Sequence, residues 1–254
     1  MAERYSLADL LDDRNRQLYE DLAAKVQIEL RPSEDSFWRE IMKDGVALIS
    51  HAPSSYPISC FTHELLHVHF DLLGMEHPSA YEIEAQTKKE IRDTEELVRE
   101  WLPSWYNQLI HQKMYPLFIA MGFPSAEFLD ESDAEFFNTV AEHVEILKEK
   151  RRKTGRAIPV KLYVLQYLFA KSPHDHSEKT ERIRKDLRNL SGGTSYQLDN
   201  LIKTLVADPE PNMSWYLVRL FYLCGMPDVA IGRDHQHLIW ARDTASGKPT
   251  VATG

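Results

Sequence analysis

Apolar positions recur at helical spacing from the start of the chain. Leu7, Leu10 and Leu11, then Leu18, Leu22 and Ala23, behind a cap-forming Ser6, predict an amphipathic helix to about Lys25. Val26, Ile28 and Leu30 alternate with polar residues, the period of a half-buried strand, and Pro32 ends it. Trp38, Ile41 and Met42 share one side of a predicted helix over Ser33–Lys43, stopped near Gly45. Val46–Ser50 reads as a second strand and His51–Pro57 as a loop with two prolines. Pro57–Leu73 reads as a helix with Pro at its first turn and Gly74 as its stop.

Downstream the pattern is almost wholly helical. A charged helix is predicted over Tyr81–Trp101, and a mostly apolar one over Trp105–Met121, interrupted by Pro116 and ended at Gly122. Further helices are predicted over Ala134–Lys150, Val160–Ala170, Ser177–Leu190, Ser195–Val206 and Ser214–Cys224, with a last strand around His237–Ala241. The stripes Leu162, Leu165, Leu168, Phe169 and Trp215, Leu217, Leu220, Phe221 are predicted core. Ser246–Gly254 reads as a disordered tail. These elements imply an α+β, mainly helical fold, divided into residues 1–125, a helical C-terminal region 126–245 and the tail 246–254.

The 254 residues, 43% hydrophobic and 27% charged, suffice for a full core, so no metal is needed merely to hold the chain folded. No signal peptide or membrane-length apolar run is evident, and the only cysteines are Cys60 and Cys224. A cytoplasmic, membrane-free protein is therefore expected. The net charge of −9 is uneven: residues 1–127 carry 12 Lys/Arg against 22 Asp/Glu, and residues 128–254 carry 18 against 17. The acidic first half disfavours nucleic acid. The run Lys148–Arg156 is the one stretch suited to phosphate contact, with a solvated helix end as its plainer reading.

The chemistry-bearing pattern is His63-Glu64-Leu65-Leu66-His67 within the helix over Pro57–Leu73. Histidines at i and i+4 project from one helical face at a separation suited to two imidazoles on one tetrahedral zinc. Glu64, next to the first, is placed to take a proton from water acidified by that metal and pass it to a leaving amine. With 11 histidines and 22 glutamates, such a pattern arises by chance roughly 0.04 times in a chain of this length. Its helical context adds to that weight.

On these five residues the chain resembles the HExxH zincin metallopeptidases, and in layout the compact intracellular ones, gluzincin-like or of the ImmA/IrrE type. The resemblance spans about residues 15–122. It implies a zincin-like catalytic unit with a small sheet and a helical C-terminal extension, Zn2+ as cofactor, and a protein or peptide substrate lying along Val46–Ser50 as an edge strand. The metzincin extension requires Gly at position 70 and His at 73, where this chain has Phe70 and Leu73. The function expected is therefore peptide hydrolysis by metal-activated water with Glu64 as general base, the alternative being an inactive zincin-fold binding or sensor protein.

A catalytic zinc takes three protein ligands and keeps one position open. His111 is the choice for the third, with Asn107 one turn earlier as a candidate for orienting it. Glu84, Glu95, Glu96, His77 and His143 compete. Cys60 shares the stripe of His63, Glu64 and His67, so it is a candidate regulatory fourth ligand, its rival role being a small buried apolar residue. Tyr56, Tyr106 and Tyr115 are candidates for polarising a scissile carbonyl. His69, His77 and the pairs His174/His176 and His235/His237 are expected to be structural or solvated.

Overall fold

The computed structural model describes residues 5–33, 37–75, 77, 82–85, 101–128, 132–155, 160–171, 178–232 and 237–245. It is mixed α+β and mainly helical. Two compact units are formed: one from the described residues of Met1–Leu73 and Ile110–Phe136, the other from those of Gly74–Leu109, Phe137–Ser172 and His176–Gly254.

In the first unit, the amphipathic stretch after Ser6 is two helices, α1 (Leu7–Leu10) and α2 (Arg16–Ala23), rather than one. The break lies where Asp12 and Asn15 turn their side chains onto local backbone, as short polar side chains do when they compete with a helix. Asn15 Oδ1 accepts from the Asp12 N–H at 3.0 Å, and Asn15 Nδ2 donates to the Leu10 carbonyl and to Thr62 Oγ1, both at 2.9 Å.

Strands β1 (Gln27–Pro32), β2 (Arg39–Lys43) and β3 (Val46–His51) follow. The helix predicted over Ser33–Lys43 is corrected: its described C-terminal part is β2, with Glu40 and Met42 half-buried while Arg39, Ile41 and Lys43 are exposed, a period of two. Asp44 and Gly45 are the two linking residues, at φ 51° and 76°, and Lys43 pairs with Val46, which makes a two-residue hairpin of the kind Asp-Gly favours. Gly45 is a turn residue and not a helix stop. The sheet order is β1-β3-β2, β3 pairing parallel with β1 and antiparallel with β2. Val46–Ser50 is thus the central strand, and the expectation that it forms the edge is also corrected.

Helix α3 (Pro57–Leu72) ends at Gly74, whose φ of 84° admits glycine without strain. It packs Phe61, Leu65 and Val68 into a core shared with Ala47, Ile49, Leu10, Leu22 and Trp38. Every residue from Ser59 to Leu66 is buried, so this part of α3 is covered on all sides, polar residues included. Those polar residues therefore require partners inside the protein.

Helix α4 (Leu102–Ala120) runs on through Pro116, with Met114 and Phe118 buried on either side of it, and a 3-10 turn, Ser125–Glu127, follows in the first unit. The second unit holds β4 (Glu82–Ala85), the part of α5 (Ser132–Thr154) from Phe137 on, α6 (Val160–Ala170), α7 (Glu178–Leu190), α8 (Gly192–Ala207), α9 (Met213–Leu223), β5 (Val229–Gly232) and β6 (Ile239–Trp240). The helix predicted over Tyr81–Trp101 begins instead as β4, which pairs antiparallel with the wholly buried β5, a strand the sequence reading missed. Residues 86–100 of that prediction, and the tail 246–254, lie outside the described residues. Leu168, Phe169, Trp215, Leu217, Leu220 and Phe221 are buried as expected, Leu165 is half-buried, and the Leu162 side chain lies outside what is described. Among the described residues no helix is long and apolar enough to cross a membrane.

Candidate metal centre

Two helices supply the site, each through residues that belong to the first unit. His63 and His67 stand one turn apart on α3, and His111 projects from α4. Their ring nitrogens form one group, all within 4.8 Å of one another, and it is the group among the described residues suited to holding a metal ion. The ring centroids lie 4.8 to 5.6 Å apart. His63 and His111 are buried and His67 half-buried.

The geometry of the first pair is specific. His63 Nδ1 lies 2.8 Å from the Phe128 carbonyl oxygen. A carbonyl only accepts, so Nδ1 carries the hydrogen, and in the neutral ring Nε2 is left with a lone pair. That Nε2 is 3.2 Å from Nε2 of His67. For metal–nitrogen bonds of about 2.0–2.1 Å, the edge of a tetrahedron is about 3.3 Å. The two nitrogens already stand at that separation, and three imidazoles are a donor set suited to a divalent transition ion. The residues present fit a metal.

Glu64 is buried, at 7% exposure, and is not a member of the three-histidine group. Its carboxylate accepts the backbone N–H of Glu40 on β2, while burial pushes its pKa up to about 8, against smaller lowering effects of that hydrogen bond and of Arg39. Glu40 sits beside it with its pKa pushed up to about 9 by burial first, then by the neighbouring carboxyls of Asp71 and Glu64. The motif glutamate is thus tied to β2, the edge strand of the sheet.

Cys60 packs in the hydrophobic core with its Sγ 3.2 Å from Ser54 Oγ, and it is not a member of the metal-suited group. Asn107 is half-buried on α4, one turn before His111. Glu84, His77 and His143 belong to the second unit, while Glu95, Glu96, His174, His176 and His235 lie outside the described residues. Tyr56 is exposed, Tyr106 donates to the Met75 carbonyl at 2.8 Å, and Tyr115, one turn after His111, donates to Ser125 Oγ at 2.8 Å.

The basic run is largely engaged within its own unit. Lys148 pairs with Glu145 and Asp186, Arg152 and Lys153 with Glu149, and the Arg151 guanidinium donates to the Asn189 and Leu190 carbonyls at the end of α7. The sequence reading missed the Ser125–Phe128 segment, which carries the acceptor for His63. Its only sequence signal is position, just beyond the Gly122 that ends the His111 helix.

No family model matches the chain, and no curated protein or solved structure matches it either.

Proposed function

We propose that this chain is a zinc-dependent metallopeptidase whose first unit is zincin-like. The observation that carries the reading is the convergence of His63, His67 and His111, from two helices, with the Nε2 atoms of the motif pair 3.2 Å apart. The three residues would hold zinc through ring nitrogens and leave a fourth position free, the arrangement of catalytic rather than structural sites. When bound, the metal polarises a carbonyl and acidifies water.

Glu64 is the proton carrier. Its carboxyl, one residue after His63 and raised in pKa by burial, would take a proton from water and give it to a leaving amine. The Glu40 N–H fixes one side of that carboxylate. An extended polypeptide would lie along β2, the sheet edge next to Glu64, in place of Val46–Ser50.

The test is metal analysis of the purified chain followed by incubation of the zinc-loaded form with a peptide library. Stoichiometric zinc and cleavage that Glu64→Gln abolishes, with zinc retained, are the expected results. Zinc uptake without cleavage of any peptide overturns the peptidase reading.

A further inference from the structure

The Phe128 carbonyl that sets the His63 tautomer is a main-chain group, so something must hold the main chain there. Two side-chain ties do so. Glu127 Oε2 accepts from Ser59 Oγ at 2.5 Å, and Ser59 lies on α3 one turn before His63. Ser125 Oγ accepts from the Tyr115 hydroxyl at 2.8 Å, and Tyr115 lies on α4 one turn after His111. Directly after the ties the Phe128 ring, 1% exposed, packs against His63, His111, Tyr115 and Phe118 at 4.9 to 5.4 Å between centroids. The segment is therefore fastened to each ligand-bearing helix within a turn of its histidine.

We infer that Ser125–Phe128 is a clamp that prepares the three-histidine group, and that Glu127 is its positioning residue. Glu127 touches no ligand atom. By holding Ser59 it keeps the Phe128 carbonyl on His63 Nδ1, which keeps the hydrogen off Nε2 and the lone pair turned towards His67 and His111. Partners of this kind orient metal-binding imidazoles, and their loss typically weakens metal affinity 10- to 100-fold. The acceptor lies 65 positions beyond His63 in the chain, so only the closed fold brings it to the ring.

The inference rests on the metal-site reading, and the test separates the two. Zinc affinity of the full chain is measured by competition with a chromophoric chelator for the native protein, Glu127→Ala, Ser59→Ala, the double variant and Glu127→Gln. Nitrogen NMR of the metal-free proteins, at a pH where the rings are neutral, reports the His63 tautomer. Either alanine variant is expected to bind zinc about 10- to 100-fold more weakly, the double variant no worse than the worse single one. Glu127→Gln, whose amide oxygen still accepts from Ser59, restores most of the affinity. In both alanine variants the Nδ1–H form of His63 loses population.

An unchanged tautomer in Glu127→Ala overturns the clamp, whether or not zinc binds. So does native zinc affinity in that variant, or independent, additive losses in the double. A native chain that takes up no zinc while the tautomer shifts as expected overturns the metal-site reading and leaves the clamp standing.

Discussion

His111→Ala is the perturbation that tests the site most directly, because His111 comes from a different helix than the motif pair and owes nothing to the spacing of His63 and His67. Free zinc at a hundredfold excess over its dissociation constant stabilises a protein that binds it only when folded by about 2.7 kcal/mol. For a chain of this size each kcal/mol moves the melting temperature by roughly 2–4 °C, so the native protein should gain about 5–11 °C. Removing one of three nitrogen donors costs at least what losing an orienting neighbour costs, on the order of a hundredfold in affinity. At the same zinc concentration the variant then gains only about 0.4 kcal/mol, or about 1–2 °C.

His111 is 3% exposed, so its truncation lowers the melting temperature on its own account. The quantity that counts is therefore the difference with and without zinc within each protein, read by scanning calorimetry. His69→Ala is the control, since His69 is on α3 and half-buried but outside the metal-suited group. It should keep the full zinc-dependent gain. An equal gain in His111→Ala would show that the metal is held elsewhere and refute the three-histidine geometry.

Other outcomes follow from the same structure. Glu64→Gln should retain zinc in a chelator titration yet abolish turnover in a peptide-cleavage assay, because the amide cannot accept the proton. Glu40 titrates near 9 in the fold against an ordinary value of 4.5, so folding favours its protonated form; the stability this lends is complete below about pH 4.5 and is lost as pH rises through about 9. Denaturant titrations of the metal-free protein should therefore show Glu40→Gln losing less stability between pH 5 and pH 9 than the native chain, and equal losses would contradict the assigned burial. Asn15→Ala removes the donor shared by Leu10 and Thr62 from a wholly buried position and should cost about 2 kcal/mol in equilibrium unfolding. Gly45→Ala places a side chain at φ 76° in the β2–β3 turn and should cost about 1 kcal/mol by the same measurement.

Much of the site was written locally. A spacing of four along a helix fixes that His63 and His67 share a face. Hydrophobic periodicity likewise located α6, α7, α8 and α9, because long amphipathic or apolar helices declare themselves within a single window. Where a short segment was ambiguous, local reading failed. Trp38, Ile41 and Met42 fit a helical face as well as they fit a strand, and only pairing with Val46–His51 selects the strand, although Asp44-Gly45 carried the hairpin signal. Glu82–Ala85 becomes a strand because β5, some 145 positions later, offers it a ladder.

What the sequence alone determined is thus the set of periodic elements and the two imidazoles of one helix, since both depend on neighbours three or four residues away. Tertiary packing selects which distant groups meet them: His111 from α4 among the candidates the chain offered, the Phe128 carbonyl on His63, the Glu40 N–H on Glu64, and Cys60 turned to Ser54 in the core. Metal coordination and hydrogen bonding are set by distances of a few ångströms in space. No spacing along the chain encodes those distances until the core has closed around α3.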